Sequence, residues 1–191
     1  AFWESGFKQL TNNKPVKAPE NYQGMKIRVM ESPILIEQFK VMGANAIPLN
    51  FSELYNALQQ GVVDGQENPL VSITKMRFYE VQSHMTLSYH GYLAYAFLFS
   101  KEFWDGLDAE QQKMLKESSI EAAQYERSLM AGMEDEFIKT ISDAGTEIIR
   151  LSEEERQAFE QATRPVHDKF ADAIGKDMLE MVYAKIQACA K

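Results

Sequence analysis

The chain has 191 residues, 45% of them hydrophobic and 25% charged, with a formal net charge of −8. This is enough apolar material for a sizeable core in one or two domains, and an acidic balance with scattered Lys and Arg excludes nucleic acid as the expected partner, because phosphates call for clustered positive charge. No apolar run approaches the roughly 20 residues of a membrane span, the opening residues do not read as a signal peptide, and the lone cysteine, Cys189, can form no internal disulfide and so leaves the compartment open.

Taken in chain order, Lys26 to Met30 reads as a short strand. Ser32-Pro33 then opens a helix, with Ser as N-cap and Pro at the first helical position. Leu35, Ile36, Phe39 and Met42 keep helical spacing, and Gly43 ends the run. Ala46 to Leu49 is a weak second strand, and Ser52 to Gln60 is a helix closed by Gly61. Val62-Val63 begins another strand, and Asn68-Pro69, as cap and first turn, begins another helix. This alternation predicts an α/β domain with parallel strands and right-handed crossovers.

Thr86 to Ser100 is strand-like and divided by Gly91. Asp108 with Gln111 forms a capping box, and the helical pattern then runs to Ala144 before Gly145. A helix of that length predicts a backbone spanning two lobes, with the Met-rich stretch Leu129 to Met133 as one of its faces. Thr146 to Leu151 is a strand. Ser152 with Glu155 is a second capping box, opening a helix to about Ala171 that bends at Pro165. A last helix covers Lys176 to Ala188.

Six segments stand out in order: Gly6-Phe7-Lys8-Gln9-Leu10-Thr11-Asn12, Gly24 to Arg28, Gly43 to Gly61, Asp64-Gly65-Gln66-Glu67-Asn68-Pro69, Phe78 to Gln82, and His90-Gly91-Tyr92. Together they resemble the substrate-binding subunits of tripartite ATP-independent periplasmic (TRAP) transporters, dicarboxylate or DctP type. The resemblance implies a periplasmic solute-binding protein that captures a small organic acid and hands it to TRAP membrane permease subunits, with no cofactor and no reaction on the ligand. It implies the α/β fold of a type II periplasmic binding protein lobe with a long connecting helix. Members are about half as long again, on the usual size of two ordinary lobes, so the resemblance implies that the N-terminal lobe is largely missing. Residues 1–92 then make the second lobe, 93–107 a strand remnant of the first, 108–145 the connecting helix, and 146–191 a C-terminal strand and helices. The uncharged stretch 94–100 would be an uncovered edge, which predicts a homodimer through that strand and the long helix.

Arg28 is the foremost ligand-binding candidate. It lies between Ile27 and Val29 on a strand and points away from both. At a strand end beside a helix start it is placed to fork onto a carboxylate; read by itself, a surface arginine or an internal salt bridge is the favoured reading, since charged strand residues are mostly exposed. The resemblance puts the carboxylate-clamping arginine here. It also turns Asn68 toward the ligand, although capping alone would explain that residue. Glu67 is either an exposed carboxylate or a partner orienting cations. Phe51 either covers the ligand or packs in the core. His90 reaches the cleft or is structural. Lys8 stands where members place an arginine, which keeps the charge and loses the bidentate fork. Asp64, Glu67 and His84 have no recognised metal spacing, so no metal is expected. Two competing readings are an enzyme using Glu67 and His90 as acid and base, and an assembly fragment with no ligand site.

Overall fold

A computed structural model describes residues 1–189. In chain order, strand β1 (Phe2–Asn12) is followed by β2 (Lys26–Val29), helix α1 (Pro33–Val41), β3 (Asn45–Pro48), α2 (Leu54–Gln59), β4 (Gly65–Pro69) and α3 (Leu70–Lys75). Then come β5 (His84–Leu87), β6 (Tyr92–Ala96), α4 (Lys101–Asp105), α5 (Ala109–Met130), α6 (Glu134–Asp143), β7 (Glu147–Arg150), α7 (Glu153–Lys169), α8 (Ala171–Ile174) and α9 (Lys176–Cys189). None of the described helices is long and apolar enough to cross a membrane.

Contacts divide the chain into two compact units, each assembled from separate stretches: Ala1–Pro15 with Gly65–Arg150, and Val16–Asp64 with Leu151 onward. In the first unit β1 is the central strand, antiparallel to β4, β5 and β6, while β5 and β7 run parallel. The all-parallel expectation is therefore corrected. The cause is β1, an 11-residue strand that no alternation in the sequence announces, because its last five residues, Lys8 to Asn12, are buried on both faces and mostly polar. The core of this unit is Leu10, Ile73, Phe78, Met85, Phe137, Ile141 and Ile149, where α3 and α6 pack.

The expected strand at Val62-Val63 lies instead at Gly65–Pro69, and the helix expected from Asn68 starts at Leu70. Gly65 sits tightly in this strand: a Cβ there would come within 2.5 Å of the Thr11 carbonyl oxygen, so only glycine lets β4 approach β1. The single long helix is also corrected. Its hydrogen bonds change at Gly132 and Met133, whose N–H groups donate to Leu129 and Met130, three residues back instead of four. That tightening, together with the helix cost of Gly132, separates α5 from α6 within the Met-rich stretch.

In the second unit β2 and β3 run parallel in the register Arg28↔Ile47. Pro33 occupies the first turn of α1 as expected, but the Ser32 side chain makes no cap bond. Tyr22 is fully buried and meets Phe39 and Phe159 edge-on at 5.5 and 6.4 Å between centroids. Lys169 of α7 reaches Glu37 of α1 at 2.8 Å, and this hydrogen bond holds the Glu37 carboxyl below its ordinary value. Both predicted capping boxes are present, Asp108 with Gln111 and Ser152 with Glu155, and Pro165 lies inside α7.

Candidate ligand-binding site

Arg28 is the residue of interest in the second unit. The alternation of β2 should turn it from the core, yet it is only 2% exposed. Its Nε and Nη2 both donate to the Leu49 carbonyl oxygen, at 2.9 and 2.6 Å. The guanidinium carbon lies 5.9 Å from the centre of the Phe51 ring, within cation–π range. Phe51 is 40% exposed, so the core-packing reading of that residue fails. The carbonyl fixes the plane of the arginine fork and adds no countercharge. A buried guanidinium held this way is suited to a planar anion such as a carboxylate.

In the first unit, Lys8, Glu67 and His90 form one buried cluster. Lys8 Nζ lies 2.9 and 2.8 Å from the two carboxylate oxygens of Glu67, and His90 Nε2 lies 3.4 Å from Oε2. His90 Nδ1 is 2.7 Å from the Ser88 hydroxyl. Glu67 is fully buried and Lys8 is 4% exposed, so neither is the surface charge that its residue type suggests. The turn that delivers His90 is set by Tyr89 at φ 50° and by the Lys8 N–H, which donates to the Gly91 carbonyl oxygen at 2.7 Å. Chemically, the cluster is an internally neutralised lysine: Glu67 accepts the Lys8 hydrogen bond at Oε1 and holds Oε2 within ion-pair distance of the same ammonium and of His90.

Asn68 does not join that cluster. Adjacent residues of a strand face opposite ways, and the register sets Asn68 beside Gln9 and Gln66 beside Thr11. On this second face the Asn68 amide donates to Gln66 Oε1, Gln66 Nε2 donates to the Thr11 hydroxyl at 2.9 Å, and Thr11 donates to Gln82 Oε1 at 3.1 Å. Asn68 is thus a strand residue in a buried amide ladder and not a helix cap, since the cap position falls on Pro69. The sequence reading missed Gln66, Thr11 and Gln82. The one available signal for Thr11 and Gln66 was the density of polar residues in two stretches that proved to be buried strands, while Gln82 lies in the connection just before β5.

Beside a cleft that Glu4, Phe7 and Arg127 also line, the half-exposed Tyr92 has its phenol pushed up to about 12, first by partial desolvation and then by its hydrogen bond to Glu4.

A family model described as bacterial extracellular solute-binding protein, family 7 (DctP), matches residues 1–173. The chain belongs to this DctP family. Among curated relatives, the chain is 40% identical over 185 residues to the C4-dicarboxylate-binding periplasmic protein DctP of Rhodobacter capsulatus, covering 96% of this chain and 56% of that protein. It is 38% identical over 186 residues to the 2,3-diketo-L-gulonate-binding periplasmic protein YiaO of Escherichia coli, covering 95% of the chain and 56% of the relative. Among solved structures, a TRAP periplasmic solute-binding protein from Shewanella oneidensis with bound succinate superposes with a TM-score of 0.91 at 38% identity, covering 94% of this chain and 59% of that one. The chain therefore spans a little over half the length of the DctP relatives it matches. The mixed α/β binding-protein fold read from the sequence is the fold of those structures, and the DctP relatives are named for binding a solute and for a periplasmic location.

Proposed function

We propose that this chain captures a small organic acid in the periplasm and delivers it to a TRAP-type membrane permease, performing no reaction on it. The observation that carries the reading is the buried Arg28 guanidinium, clamped through two donors to the Leu49 carbonyl and lying against the exposed Phe51 ring. Its neighbours in the family bind C4-dicarboxylates and a keto sugar acid by name, and one holds succinate. In this reading Arg28 forks onto a ligand carboxylate and Phe51 covers it. Lys8, Glu67 and His90 supply a rigid, charge-balanced cluster; that Glu67 is wholly buried supports this role over acid–base chemistry on a substrate. The partners are the acid, the permease subunits and, for the chain itself, a second copy.

Calorimetric titration with succinate and with gluconate tests the reading. At least one acid binds, and Arg28→Ala loses about 2–5 kcal/mol of that affinity, the usual cost of deleting one member of a buried charged contact. Arg28→Lys retains part, because the charge stays and the fork is lost. Unchanged affinity in Arg28→Ala would remove Arg28 as the anchor. Absence of binding to every acid tried would remove the solute reading itself.

A further inference from the structure

The buried amide ladder of the first unit runs in one direction, and that direction is set at the end remote from Asn68. Gln82 Nε2 donates to the Val81 carbonyl oxygen at 3.0 Å. A carbonyl only accepts, so Gln82 must turn its amide nitrogen that way and its Oε1 toward Thr11. The Thr11 hydroxyl has a single proton and gives it to that oxygen at 3.1 Å. Its own oxygen is then left to accept, and it does so from Gln66 Nε2 at 2.9 Å. Gln66 Oε1 therefore faces Asn68, which answers with its amide nitrogen. Flipping any one of these amides would set two donors or two acceptors against each other. The remote end is itself held, because the Thr146 hydroxyl donates to the carbonyl oxygens of Tyr79 and Gln82 at 3.2 and 3.1 Å. The consequence falls on Asn68. Its nitrogen is committed inward, and among the described residues its Oδ1 receives no hydrogen bond. Although Asn68 is buried, that oxygen keeps an opening to solvent.

We propose that Thr11 and Gln82 are positioning residues that hold the Asn68 carbonyl oxygen outward, so that the acid captured is a hydroxy acid whose hydroxyl donates to it. The inference rests on the solute reading. An outward carbonyl asks for a donor: a hydroxyl supplies one, and an ionised carboxylate has none to give. An acid without the hydroxyl would cover that oxygen and leave it unmade, which is how a polar group in a binding site rejects an analogue. Thr11 and Gln82 are themselves sealed from solvent and act only through Asn68.

Calorimetry with acids matched except for hydroxyl groups, malate against succinate and gluconate against hexanoate, tests it. In at least one pair the hydroxylated acid binds about tenfold tighter or more, the fold-change that one unmade hydrogen bond carries. Thr11→Val keeps the shape and removes the hydroxyl, so the ladder loses its direction and the ratio within the pair falls toward one. Thr11→Ser restores the hydroxyl and with it the ratio. A purely structural role would weaken both acids alike and leave the ratio unmoved. Equal affinities within every pair that binds, or an unchanged ratio in folded Thr11→Val, would overturn the inference and leave the solute reading standing. Binding of no acid at all would remove the solute reading and this inference with it. Should Thr11→Val fail to fold, the unaltered chain decides through the side-chain amide protons of Asn68 in nuclear magnetic resonance. One proton protected from exchange and one exposed supports the fixed orientation, and two that exchange alike refute it.

Discussion

Lys8 and Glu67 form an ion pair with almost no access to water. Taking one partner away leaves the other charged and buried, which typically costs about 3–5 kcal/mol, whereas replacing both with apolar groups of similar size is often neutral. Glu67→Gln should therefore lower the unfolding free energy by that order in urea titration, and Lys8→Met combined with Glu67→Gln should recover most of the loss. A double variant as unstable as Glu67→Gln alone would show that the cluster matters through its hydrogen bonds and not its charge. Asn68 permits an equally sharp test. As a helix cap, Asn68→Asp would be silent, since Asp caps as well as Asn. As a ladder member, Asn68 must donate to Gln66 Oε1, and a carboxylate cannot. The substitution sets two acceptors against each other and should cost about 1–3 kcal/mol, the price of leaving a buried polar group unmade. Equal denaturation midpoints for Asn68→Asp and the parent would restore the capping role.

At the scale of elements, the α1–α7 contact is tuned by pH. The Lys169 hydrogen bond depresses the Glu37 carboxyl from its ordinary 4.5. A depressed carboxylate contributes stability that is present above its unfolded value and is lost as pH falls through its folded value. Thermal melts between neutral pH and acid should show Glu37→Gln slightly less stable than the parent near neutrality and converging with it below 4.5. Curves that stay parallel into acid would exclude the linkage. The α5–α6 break shows the opposite balance of local and distant terms. Gly132 weakens the helix locally, while Phe137 and Ile141, buried in the first unit, place α6.

For the molecule as a whole, the sequence by itself determined the features whose signals span only a few residues. The capping boxes at Asp108 and Ser152, the proline that opens α1 and the six motifs that mark the DctP family are of this kind, because a cap or a turn is satisfied by atoms three or four positions away. The placement of Arg28 on a strand between two apolar residues was legible in the same way; the ligand roles of Arg28 and Phe51 came from the resemblance and remain proposals. Only the tertiary structure decided the placement of β1 and β4. Gly-Gln-Glu-Asn-Pro is a poor strand by propensity and a worse core by composition. It becomes a buried strand because Lys8 meets Glu67, Thr11 meets Gln66, and Gly65 lets the backbones close. Those partners lie more than fifty positions away in the chain, and no local pattern encodes them. Most buried polar groups in folded proteins are partnered, and strand pairing supplies the Lys8–Glu67 and Gln66–Thr11 contacts here; it also turns Glu67 and Asn68, neighbours in sequence, to opposite faces of the sheet.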